Sequence, residues 1–186
     1  MRTRQWRACL IAVPLLLGGC AGADAATQPA AAPDAVAAST PAADEPPSET
    51  AAMICGDDVR GDVARALSLP EPPATDSTWV DQLYTCTYQL PMGPMVLSVK
   101  ESPTTAAAGE YFESRQPELG ETAPAPGLGE RAYATTTGTV VVIKDAMTLT
   151  VDATDLPAEF GDNGQRRSDF AYEIASVVLG CWTGHE

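Results

Sequence analysis

The feature that most constrains this chain is the stretch at residues 83–100, LYTCTYQLPMGPMVLSVK, in which two runs rich in Tyr, Thr, Val and Leu flank a Pro91-Met92-Gly93-Pro94 corner. Turn chemistry and β-propensity together predict a hairpin there. On the first run Tyr84, Cys86, Tyr88 and Leu90 alternate with Thr85, Thr87 and Gln89; on the second, Met95, Leu97 and Val99 alternate with Val96, Ser98 and Lys100. Period two in both runs implies a sheet with one apolar face. A lone hairpin is marginal in water, so helices or further strands must cover that face.

The rest of the sequence supplies them. Residues 59–67 carry Val59, Val63, Ala66 and Leu67 near one helical face, with Asp57 or Asp58 as the expected N-cap. Residues 71–77 read as a proline-punctuated connection, and Trp79 reads as a core plug between helix and sheet. After the hairpin, residues 104–116 predict a helix capped by Thr104 or Thr105, followed by a loop over 117–126. Gly127-Leu128-Gly129 predicts a tight bend that drops one leucine inward. Strands are expected at 133–136, 139–143 and 147–151, and the continuous apolar run of Val140, Val141, Val142 and Ile143 marks a central strand buried on both faces. A last helix, starting at Ser168 or Asp169, carries Phe170, Ile174, Val177, Val178 and Cys181 as one stripe, with Gly180 at its exit and Trp182 over an end of the sheet. The expected fold is α+β, in the order α-β-β-α-β-β-β-α, with an antiparallel sheet of about five strands flanked by three helices.

The first fifty residues are of a different kind. Arg2, Arg4 and Arg7 precede an apolar run at 8–17 and then Leu17-Gly18-Gly19-Cys20. A basic segment, a short apolar core and small residues before a cysteine predict a cleaved export signal over residues 1–19. The run is shorter than the roughly twenty residues that a membrane-spanning helix needs. Leu17-Gly18-Gly19-Cys20 resembles the bacterial lipobox, which implies acylation of Cys20 and cleavage before it. Residues 20–52 are dominated by Ala, Pro, Asp, Glu, Ser and Thr, with no aromatic or basic residue and a single branched aliphatic, Val36. Such a segment has almost nothing to bury and is expected to be a disordered tether, leaving residues 53–186 as one extracytoplasmic domain.

Removing residues 1–19 takes away three of the eleven basic residues and none of the 25 acidic ones. A chain this acidic repels nucleic-acid phosphates, so nucleic acid is excluded as a partner. The expected partners are the membrane, through the lipid anchor, and an envelope protein or small ligand.

Outside the cytoplasm, thiols tend to be oxidised. With Cys9 in the signal and Cys20 acylated, Cys55, Cys86 and Cys181 remain, enough for one disulfide and one free cysteine. Cys55 with Cys86 would close a loop of about thirty residues; Cys86 with Cys181, a sheet face with its covering helix, is the rival. No Cys-x-x-Cys pair indicates redox catalysis. The single histidine, His185, stands second from the end of the sequence, where it is poorly placed to orient a Ser-His-Asp arrangement. Asp152, Asp155, Glu159 and Asp162 cluster in sequence, but not with the spacing of a calcium loop, so no metal site or cofactor is assigned. No catalytic residue is singled out. Tyr84, Tyr88, Tyr111, Tyr133 and Trp182 are the candidates to line a groove between sheet and helices.

The lipobox, the low-complexity tether, Cys55 at the mouth of the first helix, Tyr84-Thr85-Cys86-Thr87-Tyr88, Gly127-Leu128-Gly129 with Ala132-Tyr133, and the terminal apolar helix together resemble the secreted lipoproteins of high-GC actinobacteria, in particular the broad group called domain of unknown function 3558. The resemblance implies pairing of Cys55 with Cys86, from which the additional Cys181 departs. By analogy it also implies a PsbP/Mog1-like, helix-flanked antiparallel sheet. It brings no catalytic residues. The expected function is a membrane-anchored, non-enzymatic binding or envelope accessory domain; the alternatives are a carboxylate-based envelope hydrolase and a structural, protein-interaction lipoprotein.

Overall fold

The computed structural model describes residues 45–161 and 163–183. Signal, lipobox and the first part of the tether lie outside the described residues, as do Asp162 and His185. The fold is α+β, built on a seven-stranded antiparallel sheet in the order β1-β2-β3-β7-β6-β5-β4. Its strands are β1 (Ala74–Val80), β2 (Leu83–Leu90), β3 (Gly93–Glu101), β4 (Ala123–Pro124), β5 (Arg131–Ala134), β6 (Thr139–Lys144) and β7 (Met147–Asp152). Two meanders, β1 to β3 and β4 to β7, meet where β3 pairs with β7, Leu97 opposite Val151 and Val99 opposite Leu149. The helices are α1 (Glu49–Ala52), a single turn, then α2 (Asp57–Ala66), α3 (Thr105–Arg115) and α4 (Arg167–Thr183).

The alternation in the sequence decides which side each residue serves. Tyr88, Cys86, Leu97, Val99, Leu149, Val151, Val140 and Val142 form one core cluster with Ile54, Val59 and Val63 of the N-terminal segment and Phe170, Ile174 and Val178 of α4. On the opposite face Val141, Ile143 and Tyr133 pack with Ala108 and Phe112 of α3. The run from Val140 to Ile143 is buried on both faces, as expected, because α4 covers one side of β6 and α3 the other.

The sheet has two more strands than the five expected. β1 is polar and mostly exposed, so no alternation betrays it; it exists because Asp81 and Gln82 both take left-handed backbone (φ 51° and 55°) and close a two-residue hairpin between Val80 and Leu83. Part of residues 71–77 is therefore strand rather than connection. Trp79 is not a core plug: it is half-buried on this edge strand, its indole N–H donating to the Glu45 carbonyl at 2.8 Å. β4 is two residues long and pairs with Tyr133 and Ala134. A small separate hairpin joins β8 (Glu159–Phe160) to β9 (Gln165–Arg166).

Other expectations shift at the helix ends. The N-cap of α2 is Gly56, not an aspartate; Asp57 and Asp58 occupy its first turn, where carboxylates meet the positive end of the helix. Gly56 must enter directly from a 3₁₀ turn at Met53–Cys55, and a Cβ there would stand 3.1 Å from the Met53 carbonyl oxygen. Thr104 caps α3 as expected, accepting from the Ala107 amide. Gly180 does not end α4, which runs on to Thr183. Order also begins earlier than residue 53. Ser48 caps α1 through a bond from the Ala51 amide, and Ala51 is fully buried. An alanine-rich segment thus finds a place to dock that composition alone does not reveal.

Candidate functional site

Cys55 and Cys86 form a disulfide with Cα atoms 5.6 Å apart, and Cys181 is free. The rival Cys86–Cys181 bridge is therefore excluded. The bond ties the 3₁₀ turn to the centre of β2, and beside it the Tyr88 hydroxyl donates to the Ile54 carbonyl. Burial drives the Tyr88 hydroxyl to resist ionisation well above the ordinary tyrosine range. Burial also pushes up the Cys181 thiol, assisted by the carboxylates of Asp62 and Asp58 on α2. A thiol held protonated is a poor nucleophile and metal ligand.

The five aromatic residues expected to line a groove are not brought together. Tyr88 and Trp182 are buried on the face shared by the disulfide and α4, and Tyr84 packs at its margin. Tyr133 is buried on the other face, where its hydroxyl donates to the Phe112 carbonyl at 2.9 Å and its ring meets Phe112 at 4.7 Å between centroids. Burial, the largest influence on it, pushes the Tyr133 hydroxyl up to about 12. Tyr111, on α3, lies under the Lys100 ammonium, 5.9 Å from the ring centroid. Period-two alternation puts Tyr88 and Tyr133 on opposite sides of one sheet, and a reading of composition cannot see that β2 and β5 point them apart.

Neither do the acids at 152, 155 and 159 converge. Asp152 turns its carboxylate onto the backbone and hydroxyl of Thr154, and among the described residues no group of three or more His, Cys, Asp or Glu side chains is arranged to hold a metal ion.

A concave surface with a mixed polar and apolar lining lies elsewhere, at the end of the sheet where β6 turns into β7. A cleft of about 470 Å³ is lined by Gly127, Leu128, Gly129, Glu130, Lys144, Asp145, Ser176, Leu179 and Gly180. Leu128 and Leu179 are its buried apolar members. Gly127 and Gly129 both have left-handed backbone (φ 86° and 52°), and a Cβ on Gly129 would stand 2.6 Å from the Ile143 carbonyl oxygen. The glycines let the bend lie directly on β6, as the sequence predicts. Glu130 accepts from the Asp145 amide at 2.8 Å, and Asp145 pairs with the Lys144 ammonium at 2.9 Å. The cleft thus presents two carboxylates, one ammonium and the Ser176 hydroxyl around an apolar patch.

Glu130, Lys144, Asp145 and Ser176 were not legible as a site because they come from a bend, the end of β6, a turn and a helix. The exposed side of α4 did leave a trace, since Asp169, Tyr172, Glu173 and Ser176 recur at spacings of three and four. Tyr172, 37 % exposed, donates its hydroxyl to the Pro126 carbonyl at 2.6 Å and so props the bend. The described helices include none long and apolar enough to cross a membrane. Comparison of the chain with protein-family models, curated proteins and solved structures finds no match.

Proposed function

We propose that this chain is an extracytoplasmic lipoprotein, held to the membrane through an acylated Cys20, whose folded domain is a non-enzymatic binding or envelope accessory module. The observation that carries the proposal is the Cys55–Cys86 bond, joined to the Leu17-Gly18-Gly19-Cys20 sequence. Disulfides of this kind persist in oxidising compartments, and a lipobox-like tetrad delivers a protein to one. The likeness to secreted actinobacterial lipoproteins points the same way. For the binding surface we take the cleft at Glu130 and Asp145, because two carboxylates and a hydroxyl at an apolar patch suit a partner that brings a cationic group and a short apolar one. Both carboxylates already hold protein groups, Glu130 an amide and Asp145 an ammonium, which favours recognition over acid–base chemistry.

Cell fractionation and intact mass test the anchor. The unaltered protein should sediment with membranes and carry a diacylglyceryl group on an N-terminal Cys20, and Cys20→Ser should move it to the soluble fraction. An unprocessed start with all thiols reduced would refute the localisation. For the surface, cross-linking from the intact envelope should recover a partner with the unaltered chain and lose it with Glu130→Gln combined with Asp145→Asn. Equal recovery by both chains would remove the cleft from the proposal.

A further inference from the structure

The two edges of the sheet are treated very differently. β4 ends one side after two residues, one of them Pro124, which has no amide to offer. β1 ends the other side as a seven-residue strand, ATDSTWV, without proline, lysine or arginine. Natural edges usually carry such blunting residues, and a long flat strand without them is a template for pairing. Ser77 and Thr78 at its centre are exposed, and Val80 is 62 % exposed.

The hairpin fixes which backbone groups of β1 face outward. A two-residue turn at Asp81 and Gln82 makes Val80 and Leu83 a hydrogen-bonded pair. Alternation then turns the N–H and C=O groups of Ala74, Asp76, Thr78 and Val80 toward β2. Those of Thr75, Ser77 and Trp79 point away from the sheet. Among the described residues no other strand pairs with β1 on that side; its Trp79 side chain holds the Glu45 carbonyl.

We infer that this edge pairs with β1 of a second copy of the chain, antiparallel about a two-fold axis through Ser77. The strand is complementary to itself in that register. Ser77 meets Ser77 of the partner subunit, and Thr75 and Trp79 meet the partner subunit's Trp79 and Thr75, so every outward-facing residue finds an outward-facing one and six N–H···O bonds form. Charge agrees with the geometry. Asp76, the only charged residue of the strand, falls opposite a Thr78 hydroxyl and not opposite the other Asp76. Val80 falls opposite Ala74, which covers part of its exposed side chain. The product is a continuous fourteen-stranded sheet with an isologous interface.

Sedimentation equilibrium on the mature full-length chain carrying Cys20→Ser, so that no acyl group contributes, tests this. The unaltered edge should give a reversible monomer–dimer equilibrium. Ser77→Pro removes two of the six bonds and leaves the β1–β2 ladder intact, so dimerisation should weaken about 30-fold, at roughly five-fold per bond. The register has its own test at residue 78. Thr78→Lys places an ammonium beside Asp76 of the partner subunit and should tighten the dimer several-fold; Thr78→Glu should weaken it several-fold. Thr105→Lys, on exposed α3, makes the same change in net charge and should leave the constant unaltered. A monomer at all concentrations, a dimer indifferent to Ser77→Pro, a dimer held by a disulfide through Cys181, or equal effects of Lys and Glu at 78 would overturn the inference.

Discussion

Removing the Cys55–Cys86 bond should cost this domain more than any other single covalent change. The two residues are 31 apart in sequence, and in the chain-entropy description closing a loop of that length stabilises the folded state by about 4 kcal/mol. At about 3 °C per kcal/mol for a domain of this size, that is a fall in Tm of about 12 °C. Cys86 is fully buried and Cys55 only partly so, and complete reduction is not assured while the domain stays folded. The bond must be reduced in denaturant and the protein refolded under reducing conditions before the melt. Reduction keeps both sulfur atoms in place and isolates the cross-link. The double variant Cys55→Ala, Cys86→Ala also loses their packing and should melt about 3 °C lower still, for roughly 1 kcal/mol of lost burial. The bond's position says what opens first. It fastens the segment 49–66 to β2, so amide exchange in α1 and α2 should accelerate before exchange in β6 and β7. A shift below about 4 °C on reduction, or an equal shift from Cys181→Ala, would refute the reasoning.

Further outcomes concern the tyrosines and the bend. Tyr88→Phe strands the carbonyl of the fully buried Ile54 and should cost about 1–3 kcal/mol in chemical denaturation; Tyr133→Phe removes one bond from the Phe112 carbonyl, which also accepts within α3, and should cost about 0.5–1.5 kcal/mol. Both hydroxyls ionise at higher pH in the folded protein than the roughly pH 10 of an unfolded chain. Above pH 10 the unfolded state therefore binds fewer protons, and the two tyrosines should steepen the loss of stability as pH rises toward about 12, after a smaller decline from the raised Cys181 thiol that begins near the roughly pH 8.5 of an unfolded cysteine. Denaturant midpoints against pH will show this slope, and Tyr133→Phe should reduce it. Gly129→Ala forces a Cβ to within 2.6 Å of the Ile143 carbonyl at a positive φ, and should destabilise by about 3 kcal/mol, read as a lower denaturant midpoint.

How much of this was written in the sequence depends on whether a residue acts through its own pattern or through a partner. Tyr84 to Leu90 and Met95 to Val99 declare their faces by alternation, Val140 to Ile143 declares burial on both faces by its unbroken apolar run, and the structure places them accordingly. β1 declares nothing, because an edge strand needs no apolar face; its only cause is a turn at Asp81 and Gln82, two residues without the glycine that usually marks positive φ. α1 was hidden for a similar reason. Its alanines look like linker until Ala51 is found under the sheet. The cleft was least legible of all, since Glu130 and Asp145 become neighbours only when the bend folds onto the turn.

The aromatic residues show why a groove was expected and why none formed from them. Each face of the sheet must hold a covering layer in place, and each does so with one buried tyrosine hydroxyl on a backbone carbonyl: Tyr88 on Ile54, Tyr133 on Phe112. Side chains committed to that work are not free to line a groove. The end that carries the cleft is also where the N-terminal segment enters. Ser48 donates to the Glu101 carboxylate at 2.9 Å, Glu101 pairs with Met147, and Ser102 donates to the Ala146 carbonyl beside Asp145. If Cys20 is the anchor, the 25 residues from 20 to 44 reach at most about 80 Å at roughly 3.1 Å each. A domain of this size is only about 35–40 Å across. The chain is then long enough to pass the whole body, so attachment at the cleft's end does not press the cleft against the bilayer. Shortened to ten residues or so, a reach of about 30 Å, it would.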